Sequence, residues 1–153
     1  MAALVDGVCL RFVGSQMVHR IVFVFTVLLV SCLPVHGEVI DIGNEELARL
    51  LAEGVPIIDI RTEPEWKETG IVEGSHLITF FDRYGRYDIQ GWLAAVRAIV
   101  KPEEPVILIC RTGNRTVSVS GLLGVREGYA KAYNVRYGIV KWIAEKGAVV
   151  PPT

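Results

Sequence analysis

The chain has 153 residues, with 16 Lys+Arg against 17 Asp+Glu, a formal charge of −1 and three cysteines. A length of this order suits one domain, and the near-even charge gives no support for a nucleic-acid footprint. No CxxC and no His/Cys cluster occurs, so neither a redox dithiol nor a metal site is indicated.

Residues 21–33, IVFVFTVLLVSCL, are almost uninterrupted apolar side chains. The run is shorter than the roughly 20 residues a membrane-spanning helix needs. His19 and Arg20 precede it, and PVHG follows, with Val35 and Gly37 placed for a signal peptidase cutting after Gly37. A basic start, a short apolar middle and a small-residue exit describe a secretory signal peptide. Met17 is a natural start for it, which makes residues 1–16 an upstream extension. Two other fates stay open: a retained membrane anchor, and lipidation at Cys32, because Leu29–Cys32 (LVSC) resembles a bacterial lipobox. The expected location is outside the cytoplasm, in the periplasm, either released there or anchored and facing it. The expected organisation is a leader over 1–37 and one domain over 38–153.

Removing residues 1–37 takes away Asp6, Arg11 and Arg20, which leaves 14 basic against 16 acidic residues. Cys9 and Cys32 go with the leader, so Cys110 stands alone and cannot form an internal disulfide. A leftover thiol in an exported domain is either inert in the core or reactive.

In chain order, Glu38–Ile42 reads as a short strand. Asn44 then suits a helix N-cap, with Glu45 and Glu46 in the first turn, where the dipole favours negative charge. Leu47, Leu50 and Leu51 share a face, and Gly54 ends the helix. Ile57–Ile60 predicts a buried strand. Thr62 with Glu65 three residues on forms a capping box for a short helix ending near Gly70. SHLITFF (75–81) predicts a strand, followed by the loop DRYGRYD. IQGWLAAVRAIV (89–100) has helical spacing, with Trp92, Val96 and Ile99 on one side. VILIC (106–110) is the most apolar strand and lacks alternation, as in the middle of a parallel sheet. TVSVSGLLGVREG (116–128) predicts a helix ended by Gly128, AYNV (132–135) a strand, and GIVKWIAEKG (138–147) a last helix. About five alternations of strand and helix imply an α/β domain, a mainly parallel sheet of about five strands with helices on both faces.

Ligand sites in such sheets lie beyond the C-terminal ends of the strands. Cys110 occupies that place on the strand that reads as most central, and RTGNRT (111–116) leads from it into a helix. A tight loop there turns backbone N–H groups inward, the helix start adds partial positive charge, and Arg111 and Arg115 add full charges. All of these favour a thiolate, the nucleophilic form. Gly113 lets the backbone turn without a side chain in the way. Core packing is the other reading of a lone cysteine in an apolar strand.

CRTGNR (110–115) resembles the six-residue active-site loop of rhodanese domains, which transfer sulfane sulfur. VPIIDIRTEPEWKETGIVEGSHLI (55–78) and NVRYGIVKW (134–142) resemble two further segments of that family in the expected order, so the likeness runs from Glu38 to about Lys146. Two departures stand out. Ile71, not His, follows Gly70, and Tyr137 with Gly138 replaces a pair of glycines; changed packing is expected at both. The resemblance implies a single-domain sulfurtransferase in which Cys110 is the catalytic nucleophile. It takes sulfur from thiosulfate or a persulfide donor, holds it as a persulfide, and passes it to cyanide or a thiol, including a protein thiol. Arg111, Thr112, Gly113, Asn114 and Arg115 would form the substrate-binding loop, with no metal or organic cofactor. Asp59 and Arg61 resemble the family's structural pair. Trp66, Phe80, Phe81 and Tyr84 are candidates for the pocket mouth, and Arg83 and Arg86 for drawing in an anion. His76 reads as satisfied in place.

Two rival readings remain. A non-catalytic rhodanese-like module would bind a partner protein on the same fold. A cysteine phosphatase or arsenate reductase would need Cys-x5-Arg, but Thr116 stands at that place and the arginine falls one residue earlier, at Arg115.

Overall fold

A computed structural model describes residues 37–152. The leader read in residues 1–37, with Met17 and Cys32, lies outside the described residues except for Gly37. Among the described residues no helix is long and apolar enough to cross a membrane.

Five strands form one sheet: β1 (Glu38–Ile42), β2 (Ile57–Asp59), β3 (His76–Leu77), β4 (Pro105–Ile109) and β5 (Lys131–Val135). Their order is β1-β5-β4-β2-β3, and every pairing is parallel. The helices are α1 (Asn44–Ala52), α2 (Glu63–Thr69), α3 (Ile89–Arg97), α4 (Asn114–Gly121) and α5 (Gly138–Ala144), with α4 continuing through a π-helical turn, Leu122–Arg126. This is the α/β architecture that the alternation implies.

β4 lies at the middle of the sheet, and its side chains alternate between two cores. Val106 and Leu108 pack with Trp92, Leu93 and Val96 of α3 and Val119 of α4. Ile107 and Ile109 pack with Leu47 and Leu50 of α1 and Ile139 of α5. Burial on both faces explains why the segment shows no polar alternation. Cys110 continues the 106–108 parity, so its side chain joins the α3/α4 core.

Several boundaries differ from the sequence expectation. The N-cap of α1 is Gly43, and Asn44 is the first helical residue; its amide donates instead to Glu145 Oε2 at 2.6 Å. The strand expected over SHLITFF is reduced to His76–Leu77. Its partner β2 is itself three residues long. Beyond it, Ile78 N–H and Phe80 N–H still bond the carbonyls of Asp59 and Ile60 at 3.1 Å each. Phe80 then turns into an aromatic group, 5.0 Å from Trp92 and 4.7 Å from Phe81 by ring centroids. α4 starts two residues before Thr116, inside the loop expected after Cys110.

Asp59 and Arg61 are both fully buried and paired, with Arg61 Nη2 2.6 Å from Asp59 Oδ2. A guanidinium has five N–H donors. Arg61 Nε donates to Asp59, Nη1 to Thr69 Oγ1 (2.7 Å) and the Glu65 carbonyl (3.3 Å), and Nη2 to Asp59 and the Gly70 carbonyl (2.9 Å). All five are used, which meets the requirement for keeping this charge dry. The fork ties the end of β2 to the C-terminal part of α2. Ile71 exchanges both backbone hydrogen bonds with Val150 at 2.9 Å, so the C-terminal tail straps down the turn after α2.

Asp59→Asn removes the counter-charge while keeping the shape. It should cost about 3–5 kcal/mol, the usual penalty for stranding one member of a buried pair, read as a lower urea midpoint with an unchanged slope. A loss below about 0.5 kcal/mol, the level of a surface substitution, would show that Arg61 does not depend on this partner.

Candidate active site

Cys110 follows the last residue of β4 and is 1% exposed. Its Sγ accepts the Gly113 N–H at 3.2 Å. It also lies 3.6 Å from Thr116 Oγ1, whose hydroxyl donates to the Gly113 carbonyl at 2.7 Å. Thr116 has one proton for two acceptors. Bonded to Gly113, it leaves its oxygen free to accept from the thiol; turned to the sulfur, it would donate to an anion.

Backbone packing fixes the loop. Gly113 is the N-cap of α4 in the left-handed region, φ +89°, and a Cβ there would lie 1.9 Å from the Arg136 carbonyl oxygen. Gly138, at φ +60°, would meet the Cys110 and Arg111 carbonyls at 2.5 Å. Ile139 N–H and Val140 N–H bond those same carbonyls at 2.9 and 3.1 Å. Of the two positions where the family has glycines, the chain keeps glycine where backbone contact demands it, and Tyr137 stands where φ is −113°.

The loop side chains divide into two groups. Thr112 and Asn114 are exposed, and neither side chain has a hydrogen bond within the described residues. Both arginines are already paired with α2. Arg115 donates to Glu65 at 2.9 and 2.5 Å, and both are partly buried. Arg111 reaches Glu68 at 3.1 and 3.4 Å on the surface. Of the amides of residues 111–115, the one hydrogen-bonded to Sγ is that of Gly113.

Glu65 has two tasks. Its carboxylate takes the backbone N–H and the hydroxyl of Thr62, each at 3.0 Å, and so caps α2; it also holds Arg115. Partial burial raises its pKa, but the hydrogen bonds from Arg115 and Thr62 and the charge of Arg115 outweigh that, holding it at about 2 instead of 4.5. Arg115 is held protonated above its ordinary value: Glu65 hydrogen bonds raise it most, burial opposes, and the charge of Glu65 and the adjacent Cys110 sulfur add to it.

The other candidates scatter. Trp66 and Phe80 are buried, whereas Tyr84 is 66% exposed. The guanidiniums of Arg83 and Arg86 sit 4.6 and 5.1 Å from the Tyr84 ring centre, out on their loop. His76 is exposed on β3. Sequence reasoning missed Thr116, Glu65 and Glu68 as neighbours of the loop. The capping box made Glu65 visible, but as a helix cap alone. Among the described residues no three His, Cys, Asp or Glu side chains converge as a metal site.

A model of the rhodanese-like domain matches residues 43–145. The chain belongs to the rhodanese-like family. Thiosulfate sulfurtransferase 18 of Arabidopsis thaliana is 26% identical over 110 residues, which span 69% of this chain and 79% of that protein. A rhodanese-related protein of Thermoplasma volcanium superposes with a TM-score of 0.57 at 22% identity, over 74% of this chain and 99% of its own. A rhodanese-like domain protein of Staphylococcus aureus gives 0.51 at 24%, over 67% and 90%. A Rhodopseudomonas palustris protein of unknown function, titled a possible tyrosine phosphatase, gives 0.55 at 14%, over 95% and 99%; at that identity the likeness is one of fold. In this rhodanese-like domain the cysteine loop thus stands on the central strand of the shared sheet.

The Glu65–Arg115 pair yields a pH test with a definite sign. A carboxylate depressed to about 2 adds stability that is fully present above its unfolded value of 4.5 and is lost as pH falls toward 2. Glu65→Gln should therefore be less stable than the parent by about 1–2 kcal/mol at pH 6, after discounting for partial exposure. That gap should close between pH 4.5 and 2, followed by urea unfolding at each pH. A constant gap across the range would rule out the ion pair as its source.

Proposed function

We propose that this domain is a sulfurtransferase working through a persulfide on Cys110. The observation that carries the reading is the sulfur itself: a single cysteine at the C-terminal end of the central strand, receiving the Gly113 N–H at the start of α4, the helix whose second residue is Arg115. Family membership and the sulfurtransferase relative support it.

The chemistry is a two-step exchange. Ionised Cys110 attacks the outer sulfur of thiosulfate or of a persulfide donor. With thiosulfate, the donor's S–S bond breaks and sulfite leaves with the electron pair. The outer sulfur now belongs to Cys110 as a persulfide. Cyanide or a thiolate then attacks that sulfur; the Cys110 S–S bond breaks and its electron pair returns to Cys110. No net oxidation occurs and no cofactor enters. The Gly113 N–H and the Arg115 charge would stabilise the anionic persulfide, as preorganised donors do for other anionic intermediates. Arg111 is half-exposed in a surface pair, so an anionic donor can compete with Glu68 for it at little cost, since such pairs are worth about 0–1 kcal/mol.

The segment from Cys110 to Arg115 is one residue shorter than the Cys-x5-Arg spacing of a phosphatase loop, which bears on the phosphatase alternative.

Incubation of the protein with thiosulfate should add about 32 Da, one sulfur atom, to the intact mass, as covalent catalysis demands. Cyanide should remove it and yield thiocyanate. Cys110→Ser should gain nothing and turn over at least about a thousandfold more slowly, as expected when a nucleophile is removed. Absence of the adduct in the parent, equal gain in Cys110→Ser, or hydrolysis of an aryl phosphate in place of sulfur transfer would each reject the assignment. A non-catalytic docking module would show none of these reactions.

A further inference from the structure

Arg111 and Arg115 meet two carboxylates of α2, Glu68 and Glu65, which stand three residues apart on one face of that helix. The two pairs differ in how easily they open. Glu65 also caps α2 through Thr62, and its pair with Arg115 is partly buried. Glu68 has Arg111 as its one side-chain partner among the described residues. The cation next to it on the helix, Lys67, is taken by Glu63. The side chains of Arg111 and Glu68 are 45% and 57% exposed, so this pair opens at little cost.

Opening the pair does not remove the carboxylate. Glu68 is carried by α2, and the bonds from Arg61 to the Glu65 carbonyl, Thr69 and the Gly70 carbonyl hold α2 against the end of β2. An anion bound at Arg111, the residue directly after Cys110, therefore keeps Glu68 as a neighbour. Two anions on one guanidinium lie about 6 Å apart, where in water each pair of unit charges repels enough to weaken binding about threefold. The penalty grows with the charge of the donor, to about tenfold for a dianion. Thr112 and Asn114, the exposed neutral side chains of the loop, carry no charge to offset it.

We propose that Glu68 is a specificity-determining residue that biases the site against doubly charged donors, such as thiosulfate, and toward singly charged sulfane-sulfur donors, the thiosulfonates and persulfides. The inference rests on the sulfurtransferase reading. Glu68 takes no part in bond making. With thiosulfate the donor's S–S bond breaks and sulfite leaves with the electron pair. With methanethiosulfonate the corresponding bond breaks and methanesulfinate leaves with the pair. In both, the outer sulfur stays on Cys110 as the persulfide.

Thiosulfate and methanethiosulfonate react at the same kind of sulfur and differ by one charge, which makes them the test pair. Their kcat/KM values, with cyanide as acceptor, report the first step of the exchange. They are measured for the full chain and for Glu68→Gln, at low salt and in about 0.5 M sodium chloride, where charges are screened over a few ångströms. At low salt the substitution should raise methanethiosulfonate about threefold and thiosulfate about tenfold, a shift in preference of about threefold. High salt should bring both gains close to unity. Arg136, whose carbonyl packs on Gly113, has no carboxylate within 4.0 Å among the described residues; it is the same in both proteins, so the comparison isolates Glu68. Equal gains for the two donors, no gain, a loss (as when Glu68 braces Arg111), or a preference shift that salt leaves intact each overturn the proposal. Sulfate, a dianion that cannot react, is titrated into both proteins by calorimetry and should bind Glu68→Gln about tenfold more tightly at low salt; equal affinity also overturns the proposal. Tighter sulfate binding by Glu68→Gln, in a protein that transfers no sulfur even to cyanide, would keep the charge screen and reject the sulfurtransferase reading instead.

Discussion

The architecture of the site hangs on one buried charge pair. Arg61 cannot be dry unless all of its donors are met, and Asp59 cannot be dry without Arg61. The arrangement that meets both demands here puts α2 against the end of β2, because three of the five donors go to Glu65, Thr69 and Gly70. α2 then offers Glu65 and Glu68 to the arginines of a loop that is 50 and 43 residues further along the chain. Such a pair is a poor source of net stability, because desolvation consumes most of the Coulomb gain. Its effect here is positional. Thr79 Oγ1 bonds the Arg61 carbonyl at 2.7 Å and ties the segment after β3 to the same point.

The cysteine loop is therefore held from two sides. On one side, carboxylates of α2 grip its guanidiniums. On the other, the turn into α5 presses against it so closely that Gly113 and Gly138 have no room for a Cβ, and two N–H groups of α5 bond the carbonyls of Cys110 and Arg111. Side-chain charge and backbone contact thus set the loop independently. One consequence concerns electrostatics. The loop's two arginines are balanced by two carboxylates, so the loop is far less positive than its arginines alone suggest. The fixed dipoles of the Gly113 amide and of the α4 terminus carry correspondingly more weight.

Most of the fold could be read from residue pattern alone, and the reasons are local. β4 announced itself because burial on both faces forbids polar alternation. α2 announced itself because Thr62 and Glu65 satisfy orphan backbone groups within one turn. The elements that misled are those whose ends are decided by neighbours. SHLITFF has strand composition throughout, yet its partner β2 offers three residues to pair, and the aromatic core takes Phe80. Asn44 has the chemistry of an N-cap, but Glu145, from the other end of the domain, claims its amide.

The same division holds at the site. Sequence by itself determined that Cys110 would stand at a strand end and what kind of loop would follow it, because a strand end, a glycine and a helix start are features of contiguous residues. It also marked Asp59 and Arg61, two residues apart on one strand end. Only the tertiary structure decided that Arg111 and Arg115 face carboxylates and that Thr116 reaches the sulfur. Each of those relations joins side chains from separate elements. Their separation in space depends on how layers pack, a quantity that no window of consecutive residues contains.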